Sequence, residues 1–305
     1  MKRFLPVLPL ALVALTTGCF NDDSSSNLLA PKEESSKSEG TLRVRLTDAP
    51  YPYSSLSSAD ITVDAVEVRM NGAFHTLPVD AAPVAMNLLS LQNGVTEMLV
   101  DTVMPAGNID QIRLIISSAS VTLSDGRVFD LQIPSGESSG LKVFVSPSVQ
   151  VSEHLTTELL LDFDVSQSFE PIPASAKKAE DINRFKFHPV LRAANVSQTG
   201  TVAGHVWSDA GTPSNFSDDT LIVGASVNVM SSDSSLREGG TATSDQGFFS
   251  VSGLSAGSHL VHVEATGFNP VDLSADVTVA NTTSKEIRLS RTSGGSGPRP
   301  PSSVK

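Results

Sequence analysis

In ELLLDFDV, residues 158–165, Leu159, Leu161, Phe163 and Val165 take every second position, while Glu158, Leu160, Asp162 and Asp164 fill the places between. A period of two is that of a β-strand, whose successive side chains point to opposite faces. One face is apolar enough to cover a core. The other carries three carboxylates, and two readings of it are open. It is a solvated outer surface, or Glu158, Asp162 and Asp164 hold a hard cation such as Ca²⁺. Side chains two apart on a strand are rooted roughly 7 Å apart, and a loop can add further oxygens.

The same alternation recurs on either side. In TLRVRLTD (41–48), Leu42, Val44 and Leu46 share a face and Arg43, Arg45 and Thr47 take the other. ADITVDAVEVRM (59–70) slips phase, from Ile61 and Val63 to Val66, Val68 and Met70, which predicts a bulge around Asp64 and Ala65. Asn71-Gly72 and Asp125-Gly126 are hairpin-turn signals between apolar runs. QIRLII, RVFDLQI and LKVFV add strands, and PVAMNLLSLQNGVTEMLV has room for a short helical turn. Seven or eight short strands with turn residues between them predict an antiparallel sandwich. The pattern breaks at ANVSQT (194–199), and a second block of alternating runs follows to about Ser290. There Asp245-Gln246-Gly247 reads as a turn, Phe249 and Val251 share a face, and Gly257 turns the chain before His259, Val261 and Val263.

The chain has 305 residues and a formal charge of −12. Such an acidic balance argues against nucleic acid as a partner, since that needs clustered Lys and Arg. The start is basic (Lys2, Arg3), then almost wholly apolar from Phe4 to Leu15. That run falls short of the roughly 20 residues of a spanning helix and has the length of a signal-peptide core. Thr16, Thr17 and Gly18 precede Cys19, the only cysteine, so no internal disulfide can form. The arrangement resembles the lipobox of bacterial lipoproteins, with Thr16 where Leu is usual, and implies that Cys19 is lipidated and becomes the new N-terminus. A plain secretory signal is the rival reading. Removal of residues 1–18 takes away Lys2 and Arg3 and leaves a charge of about −14, so membrane attachment would rest on the acyl chains. Phe20 after the cysteine, where no Asp stands, points to the outer membrane of a Gram-negative cell.

No motif of an enzyme is present. H-E-x-x-H, G-x-S-x-G, a phosphate loop and a Cys/His zinc spacing are all missing. His259 and His262, three apart, face opposite sides of a strand and cannot chelate together. His205 and Trp207 share a face, either as core or as a small binding platform.

Two resemblances complete the reading. GTLRVRLTDAP (40–50), ADITVDAVEVRMNGAFHTL (59–77), MNLLSLQNGVTEML (86–99), MPAGNIDQIRLII (104–116), LLLDFDV (159–165) and FKFHPVLR (185–192) together resemble the bacterial lipoprotein family catalogued as domain of unknown function 4382. GTVAGHVW, VGASVNVM and TATSDQGFFSVSGLSAGSHLVHVEATGF resemble the carboxypeptidase regulatory-like, transthyretin-like sandwich of carbohydrate-binding-like fold. The expected organisation is a signal peptide (1–18), a disordered Ser-rich tether (19–39), sandwiches over 40–195 and 199–290, and a disordered tail (291–305). The expected function is a lipid-anchored, non-enzymatic envelope module for binding or adhesion, with a glycan or envelope proteins as partners. Carbohydrate is the ligand implied by the second resemblance. The alternative is a structural scaffold whose sheet edges pair with a partner.

Overall fold

The computed structural model of the protein describes residues 38–49, 55–79, 83–133, 140–176, 178–211 and 217–292. Cys19 with the expected signal peptide and nearly all of the expected tether, and residues 293–305 of the expected tail, lie outside the described residues.

The described chain is all-β. The first part contains β1 (Glu39–Ala49), β2 (Leu56–Met70), β3 (Ala73–Leu77), β4 (Val84–Asn87), β5 (Glu97–Pro105), β6 (Gly107–Leu123), β7 (Val128–Asp130), β8 (Leu141–Val151), β9 (Thr156–Asp164), β10 (Phe169–Ile172), β11 (Arg184–Phe187) and β12 (Leu191–Asn195). One sheet has the order β12-β9-β1-β5. The other runs β3-β2-β6-β7, with β4 also on β2 and β8 also on β6. Leu42, Val44 and Leu46 of β1 and Leu159, Leu161 and Phe163 of β9 share one core with Ile61, Val66 and Val68 of β2 and Ile112, Leu114 and Ile116 of β6. Phe163, Phe169 and Phe187 close one end, with ring centroids 5.0–6.4 Å apart.

Local signals in the sequence are met by local structure. The register of β2 against β6 shifts between Val63 and Ala65, so Asp64 is bulged out and both apolar phases of β2 reach the core. Asn71 (φ 53°) and Gly72 (φ 82°) form the two-residue turn between β2 and β3, left-handed as such hairpins require. A single 3₁₀ turn, Leu88–Ser90, lies where a short helical turn was expected.

The second part contains β13 (Thr199–Ser208), β14 (Thr220–Leu221), β15 (Ser226–Ser231), β16 (Arg237–Ala242), β17 (Phe248–Ser255), β18 (Gly257–Glu264), β19 (Val271–Val277) and β20 (Thr282–Leu289). Its sheets are β14-β13-β17, with β20 on β13, and β16-β15-β18-β19. They enclose a separate core of mostly valine around Phe249. Only the 3₁₀ turn Val196–Gln198 stands between β12 and β13.

The sandwiches are not purely antiparallel. β1 pairs parallel with β9, and β13 pairs parallel with β20. Alternation along one strand carries no information on the direction of its neighbour, and both partners are distant in sequence.

Candidate functional site

The acidic face of β9 is built into ion pairs. In the ladder, Arg43 stands directly opposite Asp101 of β5, and Arg192 of β12 directly opposite Asp162. Arg43 Nε donates to Asp101 at 3.0 Å, and Arg192 to Asp162 at 2.5 Å. Arg45 lies 3.0 Å from Glu158. Cross-strand pairs of opposite charge are the ordinary way a sheet tolerates such a row. Asp164 ends the strand and caps α1 (Val165–Ser168). Its oxygens accept from Gln167 N at 3.0 Å, Gln167 Nε2 at 2.7 Å and Ser166 Oγ at 2.6 Å, and it also receives Arg237.

The calcium expectation for Glu158, Asp162 and Asp164 therefore meets a different arrangement. Each carboxylate has its own guanidinium, and no group of three or more His, Cys, Asp and Glu among the described residues is placed to hold a metal ion. Nor is this face simply solvated, because the second sandwich sits on part of it. Arg237, at the start of β16, reaches across to Asp164 while its Nε donates to Asn228 at 2.7 Å. Asn93 and Thr241 exchange hydrogen bonds across the same seam, at 3.2 and 3.1 Å. Gly253 has φ +75°, and a Cβ there would stand 3.3 Å from both Ala194 and Leu160. The two sheets touch closely there because no side chain intervenes.

Asp48 lies at the inner edge of this network. It continues the core phase of Leu42, Val44 and Leu46 and is 3% exposed. Oδ1 accepts from Val165 N at 3.3 Å, and Oδ2 is buried. Burial, then the nearby negative charge of Asp162 and Asp164, pushes its carboxyl well above the usual range. Burial also raises Asp162, against the pull of Arg192.

Beside the seam opens a groove of about 600 Å³ walled by both sandwiches. The first contributes Lys142, Phe144 and Pro147 of β8 with Arg192 and Ala194 of β12; the second contributes Leu236, Glu238 and Ser255. Phe144 and Leu236 are 68% and 58% exposed. Glu238 is held by Ser255, which donates from N at 3.3 Å and from Oγ at 2.8 Å. His259, 3% exposed, stands behind it with Nδ1 3.5 Å from Glu238. A second cleft of similar volume lies on the other side of the Leu160–Gly253 contact and is lined by Arg43, Arg45 and Glu158.

His259 and His262 do face opposite sides, and His262 pairs with Asp272 at 2.6 Å. His205 and Trp207 are surface groups rather than core. Both reach Glu286, at 3.3 and 2.6 Å, and His205 meets Phe248 edge-on at 5.5 Å. Sequence reasoning missed Phe144, Arg192, Leu236, Arg237 and Glu238, which matter through neighbours on other strands or across the seam. Asp48 carried a signal, since its position in the alternation puts it on the core face.

Residues 39–188 match the family described as Domain of unknown function (DUF4382), and residues 201–290 match the Carboxypeptidase regulatory-like domain. No curated protein matches the chain. Solved structures that resemble it include the Bacillus anthracis TIE protein, at 10% identity over 83% of this chain and 34% of that one, with a TM-score of 0.26. The chain thus spans about a third of that protein's length. GBS52, the minor pilin of Streptococcus agalactiae, is 9% identical over 84% of this chain and 99% of its own, with a TM-score of 0.28. BcpA, the major pilin subunit of Bacillus cereus, is 9% identical over 83% and 71%, with a TM-score of 0.24. Likeness at this level transfers no function. A match to the DUF4382 family is thus followed along the chain by a match to a carboxypeptidase regulatory-like domain, and neither description names an activity.

Proposed function

We propose that the protein is a non-enzymatic binding module of the cell envelope, held to the outer membrane of a Gram-negative cell through a lipid on Cys19, with its ligand in the groove between the two sandwiches. The observation that carries the binding reading is the groove itself. Ligand sites favour domain boundaries and volumes of about 300–1,000 Å³, with apolar walls and a few fixed polar groups. Phe144, Leu236, Glu238 and Arg192 give this groove that composition. The anchoring part rests on the sequence before Cys19. Its test is phase partitioning: Cys19→Ala moves the protein from the detergent phase to the aqueous phase, and retention in detergent removes the anchor. The test of the groove is retention of envelope material by the full chain, lost on Phe144→Ala.

A second reading, a scaffold that pairs through a sheet edge, has one observation in its favour. Among the described residues β5 ends its sheet and pairs only with β1, and it leaves Val103 62% exposed. Open edges are templates for strand addition. Envelope proteins that co-purify with the wild type and are lost with Val103→Lys support that reading over the groove.

A further inference from the structure

Resting on the binding reading above, we propose that the groove takes a neutral glycan, with the Phe144 ring as its stacking face and Arg192 and Glu238 as partners for its hydroxyls. Four observations lead there.

Phe144 is held out toward the groove by its own strand. β8 alternates strictly over this stretch, with Leu141, Val143 and Val145 buried and Lys142 and Phe144 exposed. The ring is planar and apolar, with a negative face. That suits the C–H face of a pyranose, whose hydrogens are slightly positive.

The charges of the groove cancel. Lys142 and Arg192 balance Asp162 and Glu238, in a chain whose formal charge is −12. A ligand with net charge would bury that charge against a balanced wall, and an anion would also be repelled by an acidic protein on approach, whereas a neutral polyol meets neither cost.

The polar groups are already oriented. Arg192 is fixed by Asp162 at 2.5 Å, and Glu238 by Ser255 at 2.8 Å. One is a donor and the other an acceptor, as a hydroxyl needs. Groups fixed beforehand lose little freedom on binding.

A peptide strand fits less well. β12 ends its sheet, but β8 runs alongside it without pairing. Pro147 leaves β8 one N–H short. The main-chain hydrogen bonds that hold an added strand are therefore poorly available.

The test uses the full chain purified in detergent, on an array of neutral oligosaccharides, acidic oligosaccharides and extended peptides, followed by calorimetry on the best neutral glycan. Expected is neutral-glycan binding that weakens by about tenfold or more in Phe144→Ala, as for a central aromatic contact. Glu238→Gln weakens it too, and Arg43→Gln, in the other cleft, does not. Thermal melts check that each variant is folded, and Phe144 is exposed enough for its loss to spare the fold. Peptide or acidic-glycan binding that is lost in Phe144→Ala keeps the groove as a binding site and overturns the neutral-glycan assignment. Neutral-glycan binding that survives both groove variants and fails in Arg43→Gln moves the site to the other cleft and overturns the groove. Binding of no class overturns both.

Discussion

β1 and β13 open their sandwiches in the same way and finish differently. Each lies between an antiparallel neighbour, β5 or β17, and a parallel one, β9 or β20. Inward, β1 presents Leu42, Val44 and Leu46, whereas β13 presents Val202 and Val206 with Gly204 between them. Outward, β1 carries arginines paired with the carboxylates of its neighbours, beside a face that the second sandwich partly covers. β13 carries His205 and Trp207, both bonded to Glu286, at the surface. The same topology thus places carboxylates in two roles. Glu286 fixes rings on a surface, while Asp164 holds a seam together through Arg237. A polar outer face need not be a wet one.

The largest effect is expected at Gly204. A Cβ there would stand 1.7 Å from the carbonyl oxygen of Lys285 on β20. Gly204→Val should cost about 4 kcal/mol or more, at the exceptional end for one substitution. Urea unfolding of the full chain should show the second sandwich failing first. On the β9 side, Phe163→Ala removes a fully buried ring from the Phe169–Phe187 cluster and should cost about 3–5 kcal/mol, read as an earlier melt of the first sandwich alone.

The seam comes next. Arg237→Ala leaves Asp164 largely buried without its cation. Breaking a buried pair costs about 3–5 kcal/mol, and the α1 cap bonds that remain on Asp164 should hold the loss to the lower figure. Calorimetry should then resolve two transitions where the wild type shows a more cooperative one.

Asp48→Asn sharpens the same point through pH. The folded carboxyl titrates above its unfolded value, so the folded state holds a proton that the unfolded state has released, and stability falls as pH rises through that window. The variant should melt higher than wild type at alkaline pH, with the gap closing toward the unfolded value of about 3.9. A variant that melts lower at every pH would mean that the hydrogen bond to Val165 outweighs the charge. The smallest effect belongs to Glu158→Gln. Its partner Arg45 is 36% exposed, and the change should stay within about 0.5 kcal/mol. Calcium should add nothing to either melt beyond ionic strength.

The strands, the bulge at Asp64 and the Asn71-Gly72 turn were legible because each is written in a few adjacent residues. The parallel pairings were not, since Val44 meets Leu159 and Gly204 meets Lys285 only in the folded chain. The two faces of β9 were legible too, but the cover on the outer one was not. Asp162 reads as a surface carboxylate until Arg192 and the second sandwich arrive, and Phe144 reads as one more strand residue until Leu236 stands across from it. Local pattern gives direction along a strand and says nothing of what is stacked above it.

The short link between β12 and β13 also sets how the molecule carries load. β12 runs against β9 and β1, so Asn195 lies level with Leu159 and, through it, with Val44, midway along β1. A pull between the N-terminal end of β1 and the second sandwich therefore reaches β1 across two ladders, β12 on β9 and β9 on β1. Val196–Gln198 shares that load with the seam, where Arg237–Asp164 and Asn93–Thr241 also join the two sandwiches.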